Sequence, residues 1–268
     1  MAIVLNCADF YPTVAVFLLK LPKFADKNFV MADWTERAEL LFRPEGLEKL
    51  KNANVLVVGL GGVGSFAAEF LARAGVGAMT IVDGDVVDIT NINRQLPALH
   101  STVGQPKVDL MVTRLMDINP ELNLTPIKEF LSPERAYEIV SPEFDYILDC
   151  IDSVTPKLNL LVSAKRQKVK IVSSMGAGGK MDASKVEVAD ISKSYNCYFA
   201  RTIRRRLKQE KIFKGIKVVF SSELQDEGSV KVTDGTNFKK SFYGTNSYMP
   251  CLFGLRCAET VIRGILGR

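Results

Sequence analysis

A short apolar run that leads directly into a glycine-rich turn constrains the fold of this chain more than any other feature. Residues 55–58 are Val-Leu-Val-Val, which is typical of a parallel strand buried on both faces. The turn 59–64 follows at once, and residues 65–74 have the pattern of a helix. Glycines in such a turn let the backbone approach a phosphate, and free N–H groups at the helix start bind it. The glycines predicted to contact a nucleotide here are Gly59, Gly61, Gly62 and Gly64.

Strand and helix patterns alternate along the chain after this turn. Predicted strands cover residues 79–83, 122–127, 146–151 and 170–174, and predicted helices cover 34–50, 108–118 and 156–168. This alternation predicts an α/β fold with a doubly wound, Rossmann-like and mostly parallel sheet. In the C-terminal half, strands at 185–189 and 217–221 flank a basic helix, and a last helix covers 251–266. We expect these strands to add an antiparallel part, and the polar stretch 226–240 to be a mobile loop.

Composition and cysteine usage exclude several classes of protein. Of the 268 residues, 47% are hydrophobic and 24% are charged, which is ordinary for a soluble globular protein. His100 is the only histidine, and the five scattered cysteines form no Cys-x-x-Cys pair. This pattern excludes a multi-histidine metal cluster and a zinc ribbon, and it suits a reducing cytosol.

The first thirty residues have a different character from the remainder. Their apolar run at residues 14–19 is far too short to span a bilayer, and no basic start of a signal peptide precedes it. We therefore expect a cytoplasmic protein with no membrane partner. We interpret residues 1–30 as an extension outside the fold and residues 31–268 as a single domain.

The acidic residue that follows the second predicted strand suits a bound nucleotide. Asp83 lies 24 residues after Gly59, at the place where a carboxylate would bind ribose hydroxyls. Taken alone, the turn and this carboxylate fit a nicotinamide-dependent enzyme equally well.

Amide and cationic side chains further along favour a triphosphate. Asn91, Asn93 and Arg94 come shortly after the second strand, and Lys107 comes thirteen residues after Arg94. Two cations with amides suit a triphosphate better than the bridging diphosphate of a dinucleotide. Asp152 lies at the carboxyl end of the fourth strand, where a carboxylate would hold magnesium against the phosphates. The alternatives are a surface cation for Lys107 and a helix N-cap for Asp152.

The C-terminal half contains a strongly basic segment. Residues 193–217 hold nine lysines and arginines against one acid, Glu210, whereas the whole chain has a net charge of +5. A basic patch on a slightly acidic body suggests a polyanionic partner. The alternative is a solvated helix face.

Several of these motifs together resemble a known group of enzymes. Five features resemble the ThiF/MoeB/ubiquitin-activating-enzyme-like adenylating superfamily. They are the turn 59–64, Asp83, the run Asn-Ile-Asn-Arg-Gln at 91–95, Lys107 and the run Asp-Cys-Ile-Asp-Ser at 149–153. The resemblance runs from about Met31 to the C-terminus. Within that superfamily, residues 174–182, the basic helix and residues 219–223 are similar to the tRNA threonylcarbamoyladenosine dehydratases.

The resemblance implies an activity, cofactors and partners. It implies ATP-dependent dehydration, by cyclisation, of threonylcarbamoyladenosine next to the tRNA anticodon, through carboxylate adenylation and ring closure with release of AMP and pyrophosphate. The domain 31–268 would bind ATP and Mg²⁺, with a monovalent cation near Gly176 to Gly179 as a further candidate. The protein would be a homodimer with tRNA as partner, and a sulfur-transfer protein is another candidate partner.

The resemblance also implies roles for individual residues. Arg37, Arg94, Lys107 and Asp152 would be catalytic, with Arg37 lent across the dimer to the partner's ATP and Asp152 binding magnesium. The nucleotide would be bound by the four glycines together with Asp83, Asn91, Asn93, Arg94, Lys107, Asp152 and Ser153. The tRNA would be bound by Arg201, Arg204, Arg205 and Lys208.

One departure from the family pattern concerns a cysteine. Some dehydratases carry one after Gly-Ser-Val, but Lys231 follows that tripeptide here, which puts a covalent cysteine step in doubt. Cys197 and Cys251 are the substitutes, although both lie among apolar residues, where thiols are usually inert. His100 is interpreted as structural. The aromatic residues that either stack on unpaired anticodon bases or pack the basic helix onto the core are Tyr195, Tyr198 and Phe199.

Three other functions remain open at this point. The first is adenylation of the C-terminus of a ubiquitin-like sulfur carrier, which needs the same ATP site. The second is an NAD-dependent oxidoreductase, which the glycine turn alone supports. The third is a tRNA-binding scaffold with a degenerate nucleotide site.

Overall fold

The computed structural model describes residues 33–232 and 241–268, without the side chains of residues 241 and 242. The described residues between Thr35 and Arg268 belong to one compact unit. The interpretation of residues 1–30 as an extension lies outside the described residues and stays a prediction. Every helix within the described ranges is too short or too polar to cross a lipid bilayer.

A seven-stranded sheet forms the centre of the fold. Its strand order is β3-β2-β1-β4-β5-β7-β6, and all neighbours are parallel except β6 and β7, which are antiparallel. The strand order reverses between β1 and β4, and open α/β sheets bind ligands beyond the strand ends at such a point. The strands are β1 (Asn54–Val58), β2 (Ala78–Val82), β3 (Asn123–Ile127), β4 (Tyr146–Asp149), β5 (Ile171–Ser174), β6 (Val186–Asp190) and β7 (Lys217–Ser221).

Helices cover both faces of the sheet. Val55 and Val57 pack with α3, α4 and α8 in one apolar cluster, whereas Leu56 and Val58 pack with α6 and α7 in a second cluster. Because consecutive residues of β1 are buried on opposite faces, the continuous apolar run of β1 is explained and the doubly wound fold is confirmed. The helices are α1 (Glu36–Phe42), α2 (Pro44–Lys51), α3 (Gly64–Arg73), α4 (Lys107–Ile118), α5 (Pro133–Glu138), α6 (Val154–Arg166), α7 (Tyr198–Gln209) and α8 (Met249–Leu266).

The prediction of one helix over residues 34–50 was wrong. Two helices, α1 and α2, meet at Arg43, whose φ of 69° lies in the left-handed region. Pro44 occupies the first turn of α2, and a proline disfavours the helical conformation in the residue before it. The chain therefore breaks where the ring of Pro44 prevents a continuous helix.

The prediction of a mobile loop over residues 226–240 was wrong for its described part. Val230–Val232 forms β8, which pairs antiparallel with β9 (Ser241–Tyr243). The valines of β8 favour a strand, and the pairing supplies its backbone hydrogen bonds. Helix α5 was not predicted, because only Ala136 of its six residues is buried and the helical pattern is too short to read.

Candidate nucleotide site and basic groove

The glycine-rich turn between β1 and α3 is closed by contacts that only glycine permits. Gly59 has a φ of 89°, and its N–H donates to the carbonyl of Val82 at the end of β2 over 2.8 Å. A Cβ atom on Gly64 would lie 1.7 Å from the carbonyl oxygen of Gly59, and one on Gly62 would lie 2.9 Å from Cβ of Pro250. These contacts fix the turn against β2 and the start of α8.

Gly61 differs from the other three glycines because the fold itself does not require it. A Cβ atom on Gly61 would meet only the Gln95 side chain, with Nε2 3.7 Å away, which is ordinary contact. Among the described residues, the Oε1 atom of Gln95 is buried without a hydrogen-bond partner. An unpaired buried oxygen beside an open glycine fits a site completed by a ligand. Gln95 ends the sequence motif at residues 91–95, but nothing local in the sequence indicates a role for it.

We expect opposite results from alanine at Gly61 and at Gly64. Gly61→Ala should change the free energy of unfolding by less than about 1 kcal/mol, since there is room for the added Cβ atom. The same substitution should weaken ATP binding about 10-fold or more, because the backbone can no longer approach the phosphates. Gly64→Ala should destabilise the protein by at least about 3 kcal/mol, because its Cβ overlaps a carbonyl. Urea unfolding and titration with a fluorescent ATP analogue measure both effects. Equal ATP binding by wild-type and Gly61→Ala protein would contradict the assignment.

Asp83 is bound to the glycine turn through its carboxylate. Its Oδ2 accepts the N–H of Leu60 at 2.6 Å, and its Oδ1 accepts the N–H of Asp85 at 2.7 Å. Burial raises the pKa of Asp83 above its usual value, although the positive charge of Lys107 and the two N–H donors oppose this shift. Each oxygen keeps a further lone pair, so the carboxylate can accept ribose hydroxyls at the edge of the turn.

Arg94 is held close to the glycine turn and to Asp152. One of its guanidinium nitrogens donates to the carbonyl of Thr90 at 2.8 Å and to Oδ1 of Asn93 at 2.9 Å. Its backbone carbonyl would lie 3.1 Å from a Cβ on Gly62. Burial lowers the pKa of Arg94, whereas the negative charge of Asp152 raises it. An arginine stays charged at neutral pH despite such a shift, so the site combines a held cation with a nearby carboxylate.

Lys107 is buried, so it is not the surface cation of the alternative interpretation. It begins α4, and its Nζ lies 3.0 Å from Oδ2 of Asp85, with only 5% of the side chain exposed. Asn91 is also buried, and its Oδ1 accepts the N–H of Asp88 at 3.2 Å. Asn93 donates to the carbonyl of Thr245 at 3.0 Å. These three predicted polar residues are therefore each held by a hydrogen bond or an ion pair within the protein.

Asp152 and Ser153 lie at the start of α6, beyond the carboxyl end of β4. Ser153 is the N-cap and Asp152 the exposed residue before it, so the alternative interpretation of Asp152 as the N-cap was wrong. No group of three or more potential metal ligands occurs within residues 33–232 and 241–268. A single exposed carboxylate beside a candidate phosphate site still suits Mg²⁺, which commonly takes one or two carboxylates and completes its shell with phosphates and water.

Arg37 is not brought to this cluster within the chain. It lies exposed on α1, which has no buried residue and packs chiefly against α2. Leu40 and Leu41 on the same helix are 68% and 65% exposed. Two large apolar side chains on a helix without a buried face are typical of a protein–protein contact.

The basic segment forms α7, which presents an open groove to solvent. Arg201, Arg205 and Lys208 are exposed, and they line the groove together with Tyr198. Arg204 also lines it but is half-buried, because its guanidinium donates to the carbonyl and hydroxyl oxygens of Ser194 at 2.8 Å and 2.5 Å. The structure thus brings together all four cations predicted to bind tRNA, one of which also fixes the chain before α7.

The aromatic residues near α7 differ in their surroundings. Tyr198 is 46% exposed and lines the groove. Tyr195 is 50% exposed but does not line the groove, since its hydroxyl donates to Glu187 at 2.7 Å and its ring packs edge-on against Phe220. Phe199 lies over the ammonium of Lys157 on the inner side of α7. Tyr198 is therefore the aromatic residue placed to stack on a base.

The candidate thiols have surroundings that do not favour nucleophilic catalysis. Cys197 is buried at the N-cap of α7, and Cys251 is half-buried in α8. Burial raises the pKa of the Cys251 thiol, which lowers its thiolate fraction. Lys231 is exposed on β8, and His100 is exposed in a short 3₁₀ turn.

Comparison with known proteins gives the family. The sequence profile of the ThiF family matches residues 35–268. A tRNA threonylcarbamoyladenosine dehydratase of Bacillus subtilis (strain 168) is 42% identical, over 86% of this chain and 93% of its own length. The chain belongs to the ThiF family and, within it, to the tRNA threonylcarbamoyladenosine dehydratases. The resemblance read from the motifs is confirmed.

Two further relatives show how far the likeness extends. The crystal structure of the Escherichia coli tRNA N6-threonylcarbamoyladenosine dehydratase in complex with ATP has a TM-score of 0.78 and 33% identity, covering 89% of this chain and 97% of that one. A molybdopterin-synthase adenylyltransferase of E. coli (strain K12) is 40% identical, but over only 52% of this chain and 54% of its own length. Similarity to the dehydratases therefore spans most of the chain, and similarity to a sulfur-carrier enzyme spans about half.

Proposed function

We propose that this chain catalyses the ATP-dependent dehydration of threonylcarbamoyladenosine in tRNA, next to the anticodon. The observation that carries the proposal is that one chain combines the glycine turn and Arg94–Asp152 cluster with a cationic groove on α7. The first suits activation of a carboxylate by ATP, and the second suits a polyanionic substrate. Membership in the dehydratase family supports the same reaction.

The chemistry balances without an external nucleophile. A carboxylate oxygen of the threonyl group attacks the α-phosphorus of ATP, the bond to the β-phosphate breaks, and pyrophosphate leaves. A nitrogen of the threonylcarbamoyl group then attacks the activated carbonyl carbon and loses its proton. The bond to the adenylate oxygen breaks and AMP leaves, so the nucleoside loses one water in total.

The residues of the site would position the reactants and neutralise developing charge. Arg94 and Lys107 would face the phosphates, Asp83 the ribose, and the N–H groups of the glycine turn the phosphate oxygens. Asp152 would hold magnesium, which would neutralise phosphate charge when bound. Fixed cations need no reorganisation during the reaction, and the bonds of Arg94 to Thr90 and Asn93 supply that fixation.

The test is mass spectrometry of nucleosides from threonylcarbamoyl-modified tRNA after incubation with protein, ATP and Mg²⁺. The nucleosides are isolated under mild conditions, because hydrolysis reopens such a ring. The expected result is loss of one water from the modified adenosine together with release of AMP. An unchanged nucleoside despite ATP–pyrophosphate exchange would favour a protein carboxylate, such as the C-terminus of a sulfur carrier, as the substrate. If neither ATP–pyrophosphate exchange nor a change in nucleoside mass is observed, the adenylation activity is overturned and the NAD-dependent alternative is favoured.

We also propose that the protein is a homodimer in which Arg37 of one subunit contacts the ATP that is bound to the other subunit. The exposed leucines of α1 support an interface, and the exposed position of Arg37 on a helix that packs chiefly against α2 supports a role across it. Mixing Arg37→Ala protein with Arg94→Ala protein should restore about a quarter of wild-type AMP formation, since half of the dimers are mixed and each has one intact site. AMP formation by the unmixed variants is the control. A mixture as inactive as its components would contradict the exchange.

Three expectations from the sequence stay predictions. The cytoplasmic location, the sulfur-transfer partner and the independence of residues 31–268 from the preceding segment each need their own measurement. The monovalent cation near Gly176 to Gly179 likewise stays a prediction.

A further inference from the structure

A fully buried ion pair lies at the same edge of the sheet as the nucleotide residues. The Nζ atom of Lys157 and Oδ2 of Asp149 are 2.6 Å apart, and both side chains are 0% exposed. Asp149 ends β4, and Lys157 lies in the first turns of α6. Burying two charges is unfavourable, and apolar residues of similar volume often stabilise a fold as well or better. Stability alone therefore does not explain the pair.

Lys157 connects three elements at this edge. Besides Asp149 on β4, its ammonium donates to Oγ of Ser173 at 3.2 Å and to the carbonyl of Ser174 at 2.9 Å, both on β5. All three N–H donors of the ammonium are thereby used. The ring of Phe199 covers it at 5.7 Å and belongs to α7. The start of α6 is thus tied to the ends of β4 and β5.

Asp149 also fixes the backbone segment that carries Asp152, through further hydrogen bonds. Its Oδ2 also accepts the hydroxyl of Ser173 at 2.5 Å, and its Oδ1 accepts the backbone N–H of Ile151 at 3.1 Å. Ile151 immediately precedes Asp152, whose charge acts on Arg94. The carboxylate therefore fixes the backbone from which Asp152 projects, while Lys157 and Ser173 fix the carboxylate.

We propose that Asp149, Lys157 and Ser173 form a positioning unit that sets Asp152 for the magnesium–nucleotide complex. The three side chains are buried, and their link to the site is the Ile151–Asp152 backbone. The proposal rests on the proposed function only in that Asp152 is taken to hold the metal with ATP. Partners that orient a ligating group commonly change metal affinity by roughly 10- to 100-fold when removed.

The test is binding of a fluorescent ATP analogue while Mg²⁺ is titrated. Lys157→Met, Asp149→Asn and the double variant should each raise the half-saturating Mg²⁺ concentration at least about 10-fold. The double variant has no unpaired buried charge, so it should recover thermal stability relative to the single variants without recovering the Mg²⁺ dependence. Lys180→Met is the matched control, because it removes another buried ammonium bound to carbonyls, and it should leave the Mg²⁺ dependence unchanged.

The outcomes separate this proposal from the proposed function. A double variant with the wild-type Mg²⁺ dependence would overturn the positioning role, as would an equal shift in Lys180→Met protein. Wild-type protein that binds the analogue independently of Mg²⁺ would contradict the role of Asp152 itself. In that case dehydration of the tRNA nucleoside would be judged by its own mass-spectrometric test.

Discussion

Replacing Arg94 with alanine is expected to lower AMP formation and ATP–pyrophosphate exchange by at least about 10²-fold. The guanidinium is held by the Thr90 carbonyl and the Asn93 amide oxygen, and its backbone lies against the glycine turn. It is thus a fixed positive charge next to the place of the phosphates, where transition-state charge develops. The effect should fall mainly on kcat, because charge is greatest in the transition state.

Two control variants show whether a lower rate of Arg94→Ala protein is due to the loss of this guanidinium. Arg94→Lys keeps a charge but loses the planar guanidinium with its fixed set of donors, so it should recover only part of the rate. Arg263→Ala removes an exposed arginine of α8 beside Gly264, which contacts Tyr146 at the opposite end of β4. That variant should keep the wild-type rate. Arg94→Ala protein with normal pyrophosphate exchange would show that the cation does not face the phosphates.

The fold was predictable because its signals are local. A strand buried on both faces reads as a continuous apolar run, and Gly59 and Gly64 are required by contacts within the turn or with Cys150, which directly follows the adjoining strand β4. The break at Arg43 was also readable, since Pro44 restricts the residue before it. Helix α5 and strand β8 were missed because both are short and mostly exposed, so their periodicity carries little information.

The position of a candidate site residue was predictable where that residue follows a strand, and it was missed where tertiary contacts decide. Asp83 and Asp152 come at strand ends, which places them at the ligand edge of a parallel sheet. Lys157 reads in sequence as an ordinary solvated lysine near a helix start. Its burial depends on Asp149 and on β5, which lies beside β4 in the sheet but more than twenty residues away in sequence. The sequence signal for this buried ion pair is an acidic residue at a strand end, Asp149, with Lys157 eight residues later.

Arg204 is a second residue whose role depends on tertiary contacts that the sequence does not reveal. Its sequence context is uniformly basic, and nothing local distinguishes it from Arg201 or Arg205. In the structure it donates to Ser194, so part of its role is to hold the chain against α7. Arg204→Ala is therefore a poor probe of tRNA binding alone, because losing these bonds should also destabilise the protein by about 1–3 kcal/mol.

Substitution of the three fully exposed cations of the groove should provide the cleaner result. Arg201→Ala, Arg205→Ala and Lys208→Ala combined should weaken tRNA binding roughly 10²-fold at moderate salt. The slope of log affinity against log salt should fall by up to about 3, because each cation that is removed leaves one phosphate without a protein counter-charge. The free energy of unfolding should change little, because these side chains are exposed. Filter binding of tRNA over a series of salt concentrations measures the affinity and the slope, and urea unfolding measures the stability.

The same triple variant separates tRNA binding from adenylate chemistry. Since the groove lies on α7 and the phosphate contacts lie around the glycine turn, binding of an ATP analogue should remain at the wild-type level. Dehydration should fall through a higher KM for tRNA and recover at low salt, where the remaining cations bind phosphate more strongly. Unchanged tRNA affinity would mean that the nucleic acid binds elsewhere, and the basic face of α7 would then be a solvated surface.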